Sequence, residues 1–152
     1  MKKILTIMVV PLVLGWLAGC GSVMIREAQS PYDFDTTVET IMQNTRDEGW
    51  TVPRVYDFRK ILLSKGGDDI GNMKVIKLCN PDMAGAMLAS DDSKFVGAMM
   101  PCSISIYEKD NGLTYVSHMN MGLMSRMFSG EVGATMKKVA GADERILAFL
   151  EP

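Results

Sequence analysis

The chain is poor in the residues that most often carry chemistry. Its 152 residues hold one histidine, His118, and three cysteines, Cys20, Cys79 and Cys102. A lone histidine removes every mechanism that needs two. No HExxH, CxxC, CxxCH or Gly-Lys-Ser segment occurs, which excludes a zincin helix, a thioredoxin-like motif, covalent haem attachment and a phosphate loop. Aromatic residues are only 7% and lysine and arginine form no run. Nucleic acid is therefore not an expected partner, because phosphate binding rests on clustered positive charge. The acidic pairs Asp68-Asp69 and Asp91-Asp92, and the stretch Glu108-Lys109-Asp110, sit in or beside loops. Adjacent carboxylates there point apart into water, unlike the pair facing across a cleft that acid–base catalysis needs. Long apolar runs are scarce too. The longest, Ile4 to Leu17, falls short of the roughly 20 residues that cross a bilayer and contains Pro11 and Gly15.

That run follows Met1-Lys2-Lys3 and ends at Leu17-Ala18-Gly19-Cys20, the tripartite layout of an export signal. The ending resembles the lipobox of bacterial lipoproteins, in which the cysteine thiol is acylated, with palmitate-type chains, and the chain is cut just before it. Residues 1–19 thus read as a removed signal peptide, Cys20 as the lipidated terminus, residues 20–22 as a short tether and residues 23–152 as a single domain. Loss of Lys2 and Lys3 leaves 14 basic against 18 acidic side chains, net −4. Acyl chains rather than charge should then hold the protein at the membrane, each buried methylene contributing about 0.8 kcal/mol. The expected location is the cell envelope, facing the periplasm. In an organism with two membranes, Gly21 rather than aspartate after Cys20 resembles the signal for release to the outer one.

Beyond the tether, periodicity predicts an α+β domain. Val23 to Ala28 reads as a strand, stopped by the Ser30-Pro31 turn signal. A helix follows, with Asp33 or Asp35 as N-cap, Phe34, Val38, Ile41, Met42 and Thr45 at helical spacing, and Gly49 as the stop. Thr51 to Phe58 is a second strand whose Pro53 demands an edge position or a bulge. A turn or two of helix, Arg59 to Lys65, leads through Gly66-Gly67 to a third strand, Asn72 to Cys79. Asn80-Pro81 opens a short helix bearing Met83, Ala84, Met87 and Leu88, and a loop runs through Asp91-Asp92. Ser103 to Glu108 and Leu113 to His118 form a hairpin about Asp110-Asn111-Gly112. A short Met-rich helix, Met121 to Phe128, and a longer one, Glu131 to Leu150, complete the chain. The economical packing is a four- to five-stranded, largely antiparallel sheet with helices on one face.

Leu78-Cys79-Asn80-Pro81 and Pro101-Cys102, followed by Tyr107-Glu108 and a hairpin, resemble the DUF302 family, whose members share an Asn-Pro after one strand and a Pro-Cys before the next. The likeness extends over about residues 24–150 and sets Gly49-Trp50 at that family's glycine-aromatic turn. It implies a compact α+β fold, often a homodimer, with no established activity. The family's usual Asn-Pro or Asp-Pro after the last strand is here Asn120-Met121.

Few residues remain that could carry chemistry. Cys79 and Cys102 could pair as a disulfide in an oxidising compartment, where closing their 22-residue loop would stabilise the fold by about 3 kcal/mol. They could equally be buried thiols packing as small hydrophobes, or metal ligands together with His118. Leaderless members of the family look similar at both positions, where export cannot be the reason. Twelve methionines follow Cys20, and Met119, Met121, Met124 and Met127 come directly after His118. Thioether, imidazole and thiolate are the ligands that select Cu(I), and His with Met is also an axial pair for non-covalent haem. The same stripe suits a core or a dimer seam. The reading that follows is a non-enzymatic envelope lipoprotein that binds a partner protein, itself, or a small apolar or soft ligand. Copper or haem binding through His118 and the Met-rich segment comes second, and an enzyme using a thiol nucleophile with His118 comes third.

Overall fold

The computed structural model describes residues 23–150; the signal segment, Cys20 and the tether lie outside the described residues. Five strands form one sheet: β1 (Ile25–Gln29), β2 (Thr51–Asp57), β3 (Met73–Cys79), β4 (Cys102–Glu108) and β5 (Thr114–Met119). Their order is β1-β5-β4-β3-β2, and every neighbouring pair is antiparallel. Strand β2 is an edge, and its pairing with β3 slips between Thr51 and Arg54. This is where Pro53, lacking an N–H for the ladder, has to fall.

The helices α1 (Phe34–Asp47), α2 (Phe58–Leu63), α3 (Pro81–Leu88), α4 (Met121–Met124) and α5 (Gly130–Ile146) begin at readable caps in most cases. Asp33 Oδ1 accepts from the Thr36 N–H at 2.8 Å to start α1, and Gly49 ends that segment with φ +74°. Asn80 Oδ1 accepts from the Met83 N–H at 3.0 Å to start α3, with Pro81 in the first helical position. Ile76, Leu78, Ile104, Ile106 and Val116 are almost fully buried, and with Phe34, Val38 and Ile41 of α1 and Met136, Val139 and Ile146 of α5 they make one core. Among the described residues the core's buried side chains fall between residues 34 and 147, so a domain beginning at Gly21 contains all of them.

Several boundaries differ from expectation. Strand β1 starts at Ile25 rather than Val23. Residues Asp91–Met99 are a 3-10 helix rather than a loop, started by Ser90, whose hydroxyl accepts from the Asp92 N–H at 3.3 Å. The Met-rich helix stops at Met124 instead of Phe128, and the last helix at Ile146, followed by a 3-10 turn at Ala148–Leu150. Past the end of α4, Phe128 packs against the core, and its carbonyl stands so close to Gly133 that a Cβ there would lie 2.2 Å from the oxygen. Asn120-Met121 does not loosen its turn. Asn120 Oδ1 accepts from the Leu123 N–H at 3.1 Å, while its Nδ2 and backbone N–H donate to the carbonyls of Val23 and Met24 at 2.9 and 2.8 Å. No described helix is long and apolar enough to cross a membrane.

Candidate functional site

Register decides which side chains meet. Cross-strand partners share a face and successive residues alternate. Ile104 pairs with both Ile76 and His118, and Cys102 pairs with Leu78, so His118 and Cys102 stand on the helix-covered face. Ser105 pairs with Val75 and Ser117, and Met119 with Ile25, so these five lie on the opposite face together with Cys79. At the end of the sheet where β3 and β5 finish and β4 starts, a cavity of about 360 Å³ draws on residues of both faces. The Met100–Pro101 peptide at its wall is cis.

The walls are mostly thioether. Nine of the twelve methionines after Cys20 line the cavity, among them Met83 and Met87 from α3, Met99 and Met100 before β4, and Met121 and Met124 from α4. Met is flexible and polarisable, so such a wall adapts to what it holds. Trp50, 7% exposed, is part of the wall. The polar groups are few: His118, Asp143, Asn80, the two thiols and three serines. A small apolar cavity with sparse polar groups is the usual form of a small-molecule site.

The strongest polar feature is a pair. His118 Nδ1 lies 2.7 Å from Asp143 Oδ2, and the two side chains are only 14% and 13% exposed. Against a carboxylate, which accepts, Nδ1 is the donor of this bond, and Nε2 is the ring nitrogen left outside the pair. Cys102 is a free thiol whose burial, assisted by nearby Asp143 and Cys79, pushes its pKa up to about 11. A thiol held that high is a poor nucleophile at neutral pH. Cys79 is also free and half-buried. Ser105 Oγ is buried without a hydrogen-bond partner among the described residues, an unmet capacity at the cavity wall.

The family described as "Domain of unknown function DUF302" matches residues 26–151. The chain belongs to the DUF302 family. A solved relative, described as "Crystal structure of uncharacterized conserved protein DUF302 from Bacillus stearothermophilus", is similar at a TM-score of 0.69 and 21% identity. The match covers 84% of this chain and 96% of that one, and at this identity the likeness concerns the fold. No curated protein matches the chain.

Within this DUF302 domain the structure gathers most of the residues singled out from the sequence. His118, Met119, Met121 and Met124 line the same cavity as Cys79 and Cys102. Met127 does not: α4 ends before it, so the thioether stripe expected over Met121, Met124 and Met127 stops at Met124, and Met127 is 63% exposed. Among the described residues no three His, Cys, Asp or Glu side chains converge on one point, so a metal held here would need thioether ligands as well. Sequence reasoning missed Asp143. The signal was available, because Met136, Val139, Ala140, Asp143, Ile146 and Leu147 follow helical spacing, and a carboxylate interrupting an apolar stripe calls for a buried partner.

Proposed function

We propose that the protein is a lipid-anchored binding module of the bacterial envelope, without enzymatic activity, whose cavity takes up a small apolar or soft ligand close to the membrane. The observation that carries this reading is the Met-lined cavity itself, whose volume of about 360 Å³ lies within the range of small-molecule sites. The ending Leu17-Ala18-Gly19-Cys20 supports the anchor. The raised thiol of Cys102 speaks against a cysteine nucleophile. A homodimer, which family resemblance implies, is compatible with the cavity and is measured by light scattering.

The test uses the soluble domain beginning at Gly21 and the neutral dye N-phenyl-1-naphthylamine. Saturable dye fluorescence with matching loss of Trp50 emission is the expected result, and Ala84→Phe, which fills the cavity from α3, should abolish it. Absence of any saturable binding by the folded domain overturns the reading.

A second reading, soft-metal or non-covalent haem binding, is favoured by one geometric fact. A histidine whose Nδ1–H is held by a carboxylate presents Nε2 in the manner of metal-ligating histidines, and His118 has that partner in Asp143. Thioethers beside it would suit Cu(I). Near-stoichiometric copper, or a Soret band on haem titration, lost in His118→Ala, would replace the first reading. Spectra and metal content unchanged by either titration would remove the second.

A further inference from the structure

We propose that the cavity receives the acyl chain of a bilayer lipid through a lip formed by Ile25, Met119 and Met121. This rests on the reading of an apolar binding cavity and a lipidated Cys20. Ile25 and Met119 are cross-strand partners that line the cavity and yet are 47% and 36% exposed, so they belong to its wall and to the outer surface at once. The bonds from Asn120 to the carbonyls of Val23 and Met24 fix the start of the domain beside this lip.

The exposed apolar surface does not end there. Val23 is 53% exposed, and Phe95 and Met127, at 66% and 63%, flank the segments that supply Val96 and Met124 to the cavity wall. The Phe95 ring lies 6.3 Å from that of Phe128, which joins the two segments. Exposed apolar side chains, with Ile25 and Met119 at the lip among them, mark a surface that meets an apolar partner.

Position identifies that partner. Cys20 precedes Ile25 by five residues, and five residues of chain reach at most about 17 Å. An acylated Cys20 therefore keeps the lip near the headgroup level of the bilayer, where Val23 and Ile25 can enter the interface. The ligand with the shortest path into the cavity is then a lipid chain. Its flexibility matches a thioether wall, and the volume, near the bottom of the small-molecule range, suits one chain and not a whole diacyl lipid.

Trp50 is the sole tryptophan after Cys20 and part of the wall, so it reports contact with a brominated chain by quenching. Two arms are run: dibromostearate added to the soluble domain, and the lipidated protein reconstituted in vesicles of phosphatidylcholine brominated in mid-chain. The expected result is saturable loss of most Trp50 emission in both arms. Met119→Glu, which sets a carboxylate in the lip, should remove that quenching while leaving thermal stability intact, with Ile25→Glu as the alternative variant if the first fails to fold. Dye binding without quenching by either brominated probe overturns the acyl-chain proposal and leaves the cavity reading standing. Failure of dye and chain alike overturns both. Quenching of the soluble domain but not of the lipidated protein means that the protein's own anchor fills the cavity, which overturns the bilayer lipid as the source.

Discussion

Two glycine-to-alanine substitutions in helices should move stability in opposite directions, and the sign is set by what each new methyl meets. Gly85 lies in α3, exposed, with nothing within 4 Å of an added methyl. Alanine there should stabilise by about 0.5–1 kcal/mol, through helix propensity and a less disordered unfolded chain. Gly133 lies in α5, where propensity argues the same way by about 1 kcal/mol. Its methyl, however, would sit 2.2 Å from the Phe128 carbonyl oxygen and 2.9 Å from the carbonyl carbon. The obstacle is backbone, so relief requires moving the Phe128 segment by about 1 Å, and overpacking of this kind costs about 3 kcal/mol at the upper end of its usual range. The net is a destabilisation of about 2 kcal/mol, which for a domain of this size lowers Tm by about 6–10 °C. Because that segment follows α4, Gly133→Ala should also weaken dye binding in the cavity that Met121 and Met124 line. Thermal unfolding followed by circular dichroism reads the first effect and dye titration the second. A Gly133→Ala domain at least as stable as the parent would show that the Phe128 carbonyl sets no steric limit on α5.

Other outcomes follow from the site. Asp143→Ala leaves the half-buried Nδ1 of His118 without its carboxylate and should cost about 1.5–3 kcal/mol, measured as a fall in the urea midpoint; an unchanged midpoint would mean that the pair contributes nothing. Asn80→Ala removes the cap of α3 and should cost about 1 kcal/mol. Cys102 is protonated in the fold up to about 11, whereas an ordinary thiol ionises near 9.0. Its contribution to stability is therefore complete below pH 9 and lost as pH rises towards 11, because the unfolded chain releases the proton first. Denaturation across that window should show a decline that Cys102→Ala removes. Metabolic labelling with an alkyne fatty acid should mark the protein, and Cys20→Ala should abolish the label; persistent labelling would place the lipid elsewhere.

Local signals made the fold legible. Alternation in Ser103 to Glu108, the Asn-Gly turn of the hairpin, the caps at Asp33 and Asn80, and the edge-seeking Pro53 each act within a few residues, and each stands where the local rule puts it. The site was legible in its parts but not in its assembly. His118, Cys79, Cys102 and the four methionines after His118 stand out in the sequence, but the convergence of all except Met127 on one cavity depends on strand register and on how α3 and α5 cover the sheet end. Asp143 is 25 residues from His118 along the chain, and no spacing rule joins them. Met127 falls outside because α4 ends at Met124, which breaks the helical spacing that would have carried the stripe on to it. The 3-10 helix of Asp91–Met99 escaped for a similar reason: its short repeat leaves no amphipathic period, and only Val96 is buried.

Whether the Met-lined cavity holds an apolar ligand can be read from methyl spectra of the soluble domain labelled with carbon-13 at methionine. Twelve methyl signals are expected, and Met24, Met42 and Met127, outside the cavity wall, serve as internal controls. On titration with N-phenyl-1-naphthylamine, the signals of the cavity methionines should move together and saturate while those three stay fixed. Shifts confined to Met127 and other surface signals, or spread equally over all twelve, would mean that the dye never enters the cavity.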